Sequence, residues 1–265
     1  METILLFILG SIIGSFLNVC IYRLPRNESI VLPPSHCPSC GNKLGIIDLI
    51  PLASYLLLGG KCRFCKKKIV LRYLLVELIS GLFLIWLNLL APLWVQPANF
   101  IFTAIFFYLL LLIFFIDAEN QVIPDSLNVG LIFLGLVFNL AQGAVLSTAG
   151  ISLNPIFSAV AGMGLGFIIL WLIGFWGKIW FKKPAMGEGD IFLAAALGAC
   201  LGWRGVLVAI FLAYLLAAAV AVYLLLSRKA KFGQYIPFGP ALAGAGILAL
   251  LFGERIIAWY WQLFL

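Results

Sequence analysis

The chain has 265 residues, of which 64% are hydrophobic and only 10% charged, and it carries a formal net charge of +7. Its mean hydropathy of +1.15 sets it apart from soluble domains, which are about half apolar and about one quarter charged. This excludes an ordinary soluble enzyme. The basic residues fall in loops between apolar runs, which assigns the positive charge to membrane topology and not to nucleic acid.

Apolar runs occupy 4–22, 73–94, 99–117, 123–146, 154–177, 190–202, 205–227 and 237–253. Each crossing of the ~30 Å hydrocarbon layer needs about 20 apolar residues, so the pattern predicts an all-α polytopic membrane protein with about eight transmembrane helices. The first run is read as a helix and not as a cleaved signal. Met1 to Thr3 carries no basic residue, and the run continues into Asn18-Val19-Cys20-Ile21-Tyr22-Arg23 without a small-residue cleavage site. The run at 190–202 is too short to cross alone and ends at Gly202-Trp203-Arg204-Gly205, which predicts a half-span or a helix starting in a cytoplasmic vestibule.

With the N-terminus outside, the loops at 23–72, 178–189 and 228–236 lie in the cytoplasm and hold 15 of the 17 Lys and Arg residues. Only Arg204 and Arg255 then lie outside, as the positive-inside bias requires. The expected organisation is an N-terminal part, 1–95, holding the first helix, the loop at about 23–72 and the second helix; a core at 99–227; and a C-terminal loop and helix at 228–265. No internal repeat is evident.

The loop at 23–72 is too small to build a large core and needs a staple. Cys37-Pro38-Ser39-Cys40 and Cys62-Arg63-Phe64-Cys65 are two CxxC pairs separated by 21 residues, close to the spacing in which two knuckles close one tetrahedral zinc site. Two disulfides are the competing reading, disfavoured by a reducing cytoplasm. His36 adjoins the first knuckle but is not needed as a fifth ligand. Cys20 and Cys200 lie in helices and read as packing residues.

Four of the ten acidic residues, Glu77, Asp117, Asp125 and Asp190, lie in or at the ends of apolar runs, where charge is costly and usually functional. Asp117 ends the third run and Asp190 opens the sixth after Gly187-Glu188-Gly189; charge topology places both at the cytoplasmic boundary. Two carboxylates held together share a proton, so one acts as a base on water while the other polarises a peptide carbonyl. Gly187 and Gly189 would let backbone approach an extended substrate. Each acid also has a bland reading: Asp117 and Asp190 as helix caps or charge partners, Asp125 after Pro124 as a helix-start residue. Glu77 needs a buried partner, with Arg72, Arg23 or a substrate amine as candidates.

The chain resembles the bacterial prepilin peptidases, the type IV prepilin leader peptidase and N-methyltransferase group of GxGD intramembrane aspartic proteases. The resemblance is carried by Gly14-Ser15-Phe16-Leu17-Asn18-Val19 and Tyr22-Arg23-Leu24-Pro25, by the four-cysteine loop, and by Arg72-Tyr73 to Glu77-Leu78. It continues through Ile116-Asp117 to Ile123-Pro124-Asp125, Met186-Gly187-Glu188-Gly189-Asp190 and Pro237-Phe238-Gly239-Pro240-Ala241. It implies Asp117 and Asp190 as the catalytic pair, with Asp125 in a supporting position. It also implies cleavage after a glycine of the leader of pilin or pseudopilin precursors, at the cytoplasmic face of the bacterial inner membrane. It further implies that the new N-terminal residue, commonly Phe, is methylated from S-adenosylmethionine.

One departure is Phe192, where the family often has Lys. Another is a longer spacer between the two aspartates, which places an extended outer loop from Gly143 to Pro155. No dinucleotide-type glycine motif marks a cofactor site. The resemblance points to the N-terminal part, with Asn18 and Glu77 as candidates toward S-adenosylmethionine or the substrate amine; for Asn18 a helix-packing hydrogen bond competes.

Other function classes fit less well. A cation-coupled transporter would pair its acids near the midplane and show broken-helix repeats, a bare zinc scaffold leaves the glycines around Asp190 unused, and zinc proteolysis lacks an HExxH motif.

Overall fold

The computed structural model describes residues 1–148, 155–182, 186–229 and 236–264, those of 143–148, 181 and 264 by their backbone alone. Among these residues every regular element is helical, apart from two isolated bridge pairs. Among the described residues seven helices are long and apolar enough to cross a membrane. The chain divides into two units, Met1–Tyr108 and Leu109–Leu265, with the division falling inside one helix.

The first unit begins with α1, Glu2–Arg23, which ends where Pro25 enters a short 3-10 turn, Leu24–Arg26. A second 3-10 turn, Ile46–Leu49, precedes the short α2, Ala53–Leu57, and then α3, Arg72–Leu90. Helices α1 and α3 pack backbone against backbone. A Cβ on Gly10 would lie 2.5 Å from the Ser80 carbonyl oxygen, and one on Gly14 would lie 2.7 Å from Glu77 Cα. In lipid, where water does not drive helices together, such close van der Waals approach does. The first part of α4, Pro97–Asn120, completes the unit: Phe107 stacks on Phe83 with centroids 3.5 Å apart, and the Tyr108 hydroxyl donates to the Ser80 carbonyl at 3.2 Å.

The second unit holds the end of α4 together with α5 (Asp125–Thr148), α6 (Pro155–Phe181), α7 (Glu188–Leu226) and α8 (Gly239–Phe264). As a straight rod, the 39 residues of α7 would measure about 58 Å, nearly twice the hydrocarbon thickness. They do not form a rod. Gly202 has φ 71° and ψ −180°, and Ala194 and Val206 both meet the Cβ position of Gly166 on α6. Twelve residues of straight helix would hold those two about 18 Å apart. The chain therefore reverses at Gly202 into two antiparallel pieces, α7a (188–201) and α7b (203–226).

The runs read as separate in the sequence, 190–202 and 205–227, are these two pieces, and α7a at about 21 Å is short of a full crossing. Residues 193–200 of α7a are all buried. Neighbouring glycines make room for it: a Cβ on Gly135 of α5 would lie 2.6 Å from the Ala199 carbonyl, and one on Gly246 of α8 would lie 2.6 Å from Leu197 Cδ2. The centre of the proposed outer loop, 149–154, and parts of the basic loops, 183–185 and 230–235, lie outside the described residues.

Candidate functional sites

In the second unit, Asp117 comes from the last turn of α4 and Asp190 from the first turn of α7a. Each is only 4% exposed. Burying two carboxylates among apolar helices is expensive, so each must find polar company or a proton. The Gly187 amide faces the Asp190 carboxylate, which also lies within electrostatic reach of Asp117. The Gly239 amide faces Asp117. One Asp117 oxygen, Oδ2, has no hydrogen-bond partner among the described residues, and a Cβ on Gly239 would lie 2.6 Å from it. Two glycine amides thus address two acids.

Three further side chains, Ile123, Asn128 and Tyr214, surround the acids. Ile123 lies against both Gly189 and Gly239, at 3.0 and 3.1 Å from their Cβ positions. Asn128 donates its amide to the Gly189 carbonyl at 3.3 Å, fixing the backbone beside Asp190. Tyr214 on α7b lies within electrostatic reach of Asp190, which the reversal at Gly202 makes possible. Its ring packs on Phe238 with centroids 5.1 Å apart, and its buried hydroxyl has no partner among the described residues. The intramembrane position of Asn128 was a usable signal, as was the Pro237-Phe238-Gly239-Pro240 run.

Asp125 sits elsewhere in character. It is the exposed first residue of α5, where an acid suits the positive end of the helix dipole. Phe192 is 46% exposed and packs toward Phe167 of α6 at 6.0 Å between centroids.

In the first unit a second buried polar cluster lies between α1 and α3. Asn18 donates its amide to the Tyr73 carbonyl at 3.0 Å, the packing bond anticipated for it, but Asn18 Oδ1 is buried without a partner among the described residues. Glu77 Oε2 accepts the Leu52 backbone N–H at 2.8 Å, and the Ser15 hydroxyl also bonds the Glu77 carboxylate. Arg23, one of the partners considered for Glu77, is instead spent on the chain that follows it: its guanidinium donates to the carbonyls of Ser29 at 2.8 Å and Pro33 at 2.7 Å. The Arg72 guanidinium lies 4.8 Å from the centre of the Tyr73 ring.

The four cysteines converge. Cys37 and Cys62 are buried, Cys40 and Cys65 exposed, and their sulfurs all lie within 4.8 Å of one another, a cluster that could hold a metal ion. Four thiolates at ~2.3 Å around one tetrahedral ion would stand about 3.8 Å apart; Cys37 Sγ and Cys65 Sγ are 4.0 Å apart, twice the length of a disulfide, which is about 2.05 Å.

The two knuckles repeat one backbone design. Cys37 N–H donates to the Asn42 carbonyl and Cys62 N–H to the Lys67 carbonyl, both at 2.9 Å. The fourth residue after each first cysteine, Gly41 and Lys66, has positive φ. The amides of Cys65 and Phe64 turned toward Cys62 Sγ pull that thiol down to about 7, toward the thiolate that a metal binds, whereas Cys40, despite the Asn42 amide, is pushed up to about 11 by desolvation and the neighbouring sulfurs of Cys37 and Cys65. His36 is occupied with the Pro34 carbonyl at 3.1 Å.

Residues 8–90 match the Bacterial Peptidase A24 N-terminal domain, and residues 104–222 match the Type IV leader peptidase family. The chain is 36% identical to the prepilin leader peptidase/N-methyltransferase of Aeromonas salmonicida, over 97% of this chain and 92% of that protein. It is 37% identical to the protein of the same name from Pseudomonas aeruginosa and 36% identical to that from Neisseria gonorrhoeae, each over 96% of this chain and 92% of the relative. No solved structure matches. With both halves matched and near-complete coverage of these relatives, the chain belongs to the type IV leader peptidase family.

Proposed function

We propose that this chain removes the leader from prepilin-like proteins, with Asp117 and Asp190 as its acid pair, and then methylates the new N-terminus. Full-length likeness to proteins named for both activities supports this reading. The observation that carries the peptidase assignment is the pair itself, two buried carboxylates within electrostatic reach, each faced by a glycine amide. Such a pair shares one proton. The ionised member takes a proton from water as the water oxygen attacks the scissile carbonyl carbon, while the protonated member donates to the carbonyl oxygen. The tetrahedral intermediate then collapses: the C–N bond breaks, the leaving amine takes up the proton held by the base, and the hydroxyl formed from the carbonyl returns its proton to the other carboxylate as C=O reforms. Gly187 and Gly189 give the peptide backbone room beside Asp190, and Asn128 holds the Gly189 carbonyl in place.

The four-cysteine cluster is a structural zinc site in this reading. It has four sulfur donors and no open position for catalysis, and it lies on the cytoplasmic side with the acid pair, as the distribution of Lys and Arg favours. The residues of 1–95 fit a positively charged methyl donor. S-adenosylmethionine, when bound, supplies an electrophilic methyl group; Asn18 Oδ1 is a buried acceptor with capacity to spare, and Glu77, about one turn along α3 from the Tyr73 carbonyl that Asn18 bonds, is a buried carboxylate. These acceptors would orient the donor and the substrate amine and exclude water. Asp125 supports the start of α5.

Incubating the protein with a prepilin and labelled S-adenosylmethionine tests the whole reading, since cleavage and methyl incorporation are read in one sample. Asp117→Asn and Asp190→Asn are each expected to abolish cleavage while inserting in the membrane normally; full cleavage by either rejects the pair.

A further inference from the structure

The segment 46–57 turns large apolar side chains outward. Ile46 is 87% exposed, Ile47 61%, Ile50 46%, Leu56 68% and Leu57 82%. Large apolar side chains held outward in water are a liability, and such a surface is usually covered.

Two contacts decide where the patch lies. Leu52, at the centre of the segment, is bonded through its N–H to Glu77 Oε2 at 2.8 Å. Glu77 stands in the second turn of α3, and helical side chains lean toward the helix N-terminus, so Leu52 is held level with the first turns of a membrane-crossing helix. Asp48 binds the Gly45 N–H at 3.1 Å and pairs with Arg63 at 3.0 Å, which ties the same segment to the second cysteine knuckle. That knuckle carries Lys66, Lys67 and Lys68, all exposed. Between residues 29 and 76, Asp48 is the sole acid in the sequence, and it is spent on Arg63. Among the described residues no acid pairs with Lys66, Lys67 or Lys68, so the apolar edge is flanked by positive charge.

We propose that residues 46–57 form an interfacial anchor on an anionic bilayer surface. The Ile and Leu side chains lie in the boundary between headgroups and acyl chains, a layer about 5–10 Å deep, and the lysines of the second knuckle meet lipid phosphates. Apolar burial and electrostatic attraction act together, as they do in surface-lying amphipathic segments. The Glu77 to Leu52 bond sets the depth, and the Asp48 to Arg63 pair sets the knuckle against the membrane plane.

The test uses full-length protein with a spin label introduced as an unnatural amino acid at position 57, or at 47 in a second preparation. Each is reconstituted in nanodiscs of phosphatidylcholine with or without phosphatidylglycerol. A label at the exposed Asn42 serves as the aqueous control. At 57 and 47, collisions with dissolved oxygen are expected to exceed those with a water-soluble nickel chelate, with the larger contrast in anionic nanodiscs.

Replacing Lys66, Lys67 and Lys68 with Gln is expected to lower the docked-to-free ratio in anionic nanodiscs by about fivefold per cation, from ~1 kcal/mol each, and to change nothing in neutral ones. A label reached by nickel as freely as the one at 42 overturns the proposal. So does a label shielded from both reagents, which would mean that protein and not lipid covers the patch.

Discussion

Ala194 and Val206 meet the same point of α6, the Cβ position of Gly166, although a full helical reading of the stretch between them would keep them far apart. The reversal that joins them rests on Gly202, whose φ of 71° is costly for any residue with a Cβ. A Cβ there would also lie 2.5 Å from Ser158 Oγ. Gly202→Ala is expected to destabilise the second unit by about 1–2 kcal/mol, read as a lowered thermal midpoint in detergent. An unchanged midpoint would mean that the turn is not held as described.

Gly239→Ala tests the pocket without touching an acid. Its methyl group would press on Asp117 Oδ2 at 2.6 Å and displace the carboxylate from its partner. Misplacement on the scale of an ångström can cost on the order of a hundredfold in rate, so leader cleavage is expected to fall by that order. Methyl transfer to an already cleaved pilin is expected to continue; loss of both activities together would point to misfolding.

Glu77→Ala removes the acceptor of the Leu52 N–H and leaves that donor unsatisfied. Hydrogen bonds to charged groups are worth about 1.5–3 kcal/mol, enough to loosen α2 and the segment around it. Methyl incorporation is expected to drop while cleavage persists. Equal losses in both would argue against a role confined to the first unit.

Metal content can be measured directly. Purified protein is expected to hold about one zinc ion per chain, and the paired change of Cys37 and Cys65 to Ser is expected to remove it, because a tetrahedral site cannot keep zinc on two thiolates. The same variant should become protease-sensitive across 29–71 while α1 and α3 stay protected. Metal-free protein with full methyl transfer would show that the cluster is dispensable.

The helices were legible because lipid imposes a simple rule, a long apolar run for each crossing, and the two acids stood out as charges inside such runs. The cysteines were legible from spacing alone. What sequence could not show depended on reversal and contact: Tyr214 is 24 residues from Asp190 and comes near it only because α7 folds back at Gly202. Ile123 looked like one more apolar residue, although it touches both Gly189 and Gly239. Asn128 is a neutral residue among four acids, and its bond to the Gly189 carbonyl is a contact that no spacing rule announces. For Glu77 the need for a partner was evident, but the partner is a backbone N–H of Leu52, and backbone donors leave no mark in composition.

The enclosure of α7a has a consequence for the choice of membrane. A helix that meets lipid must match the hydrocarbon thickness by tilting or by deforming the bilayer. Residues 193–200 are buried on all sides by protein, so the piece carrying Asp190 is relieved of hydrophobic mismatch, which falls on the longer helices around it. The backbone that follows Asp190 should therefore keep its conformation across bilayers of short and long acyl chains, and any dependence of turnover on thickness should enter through α4, which carries Asp117.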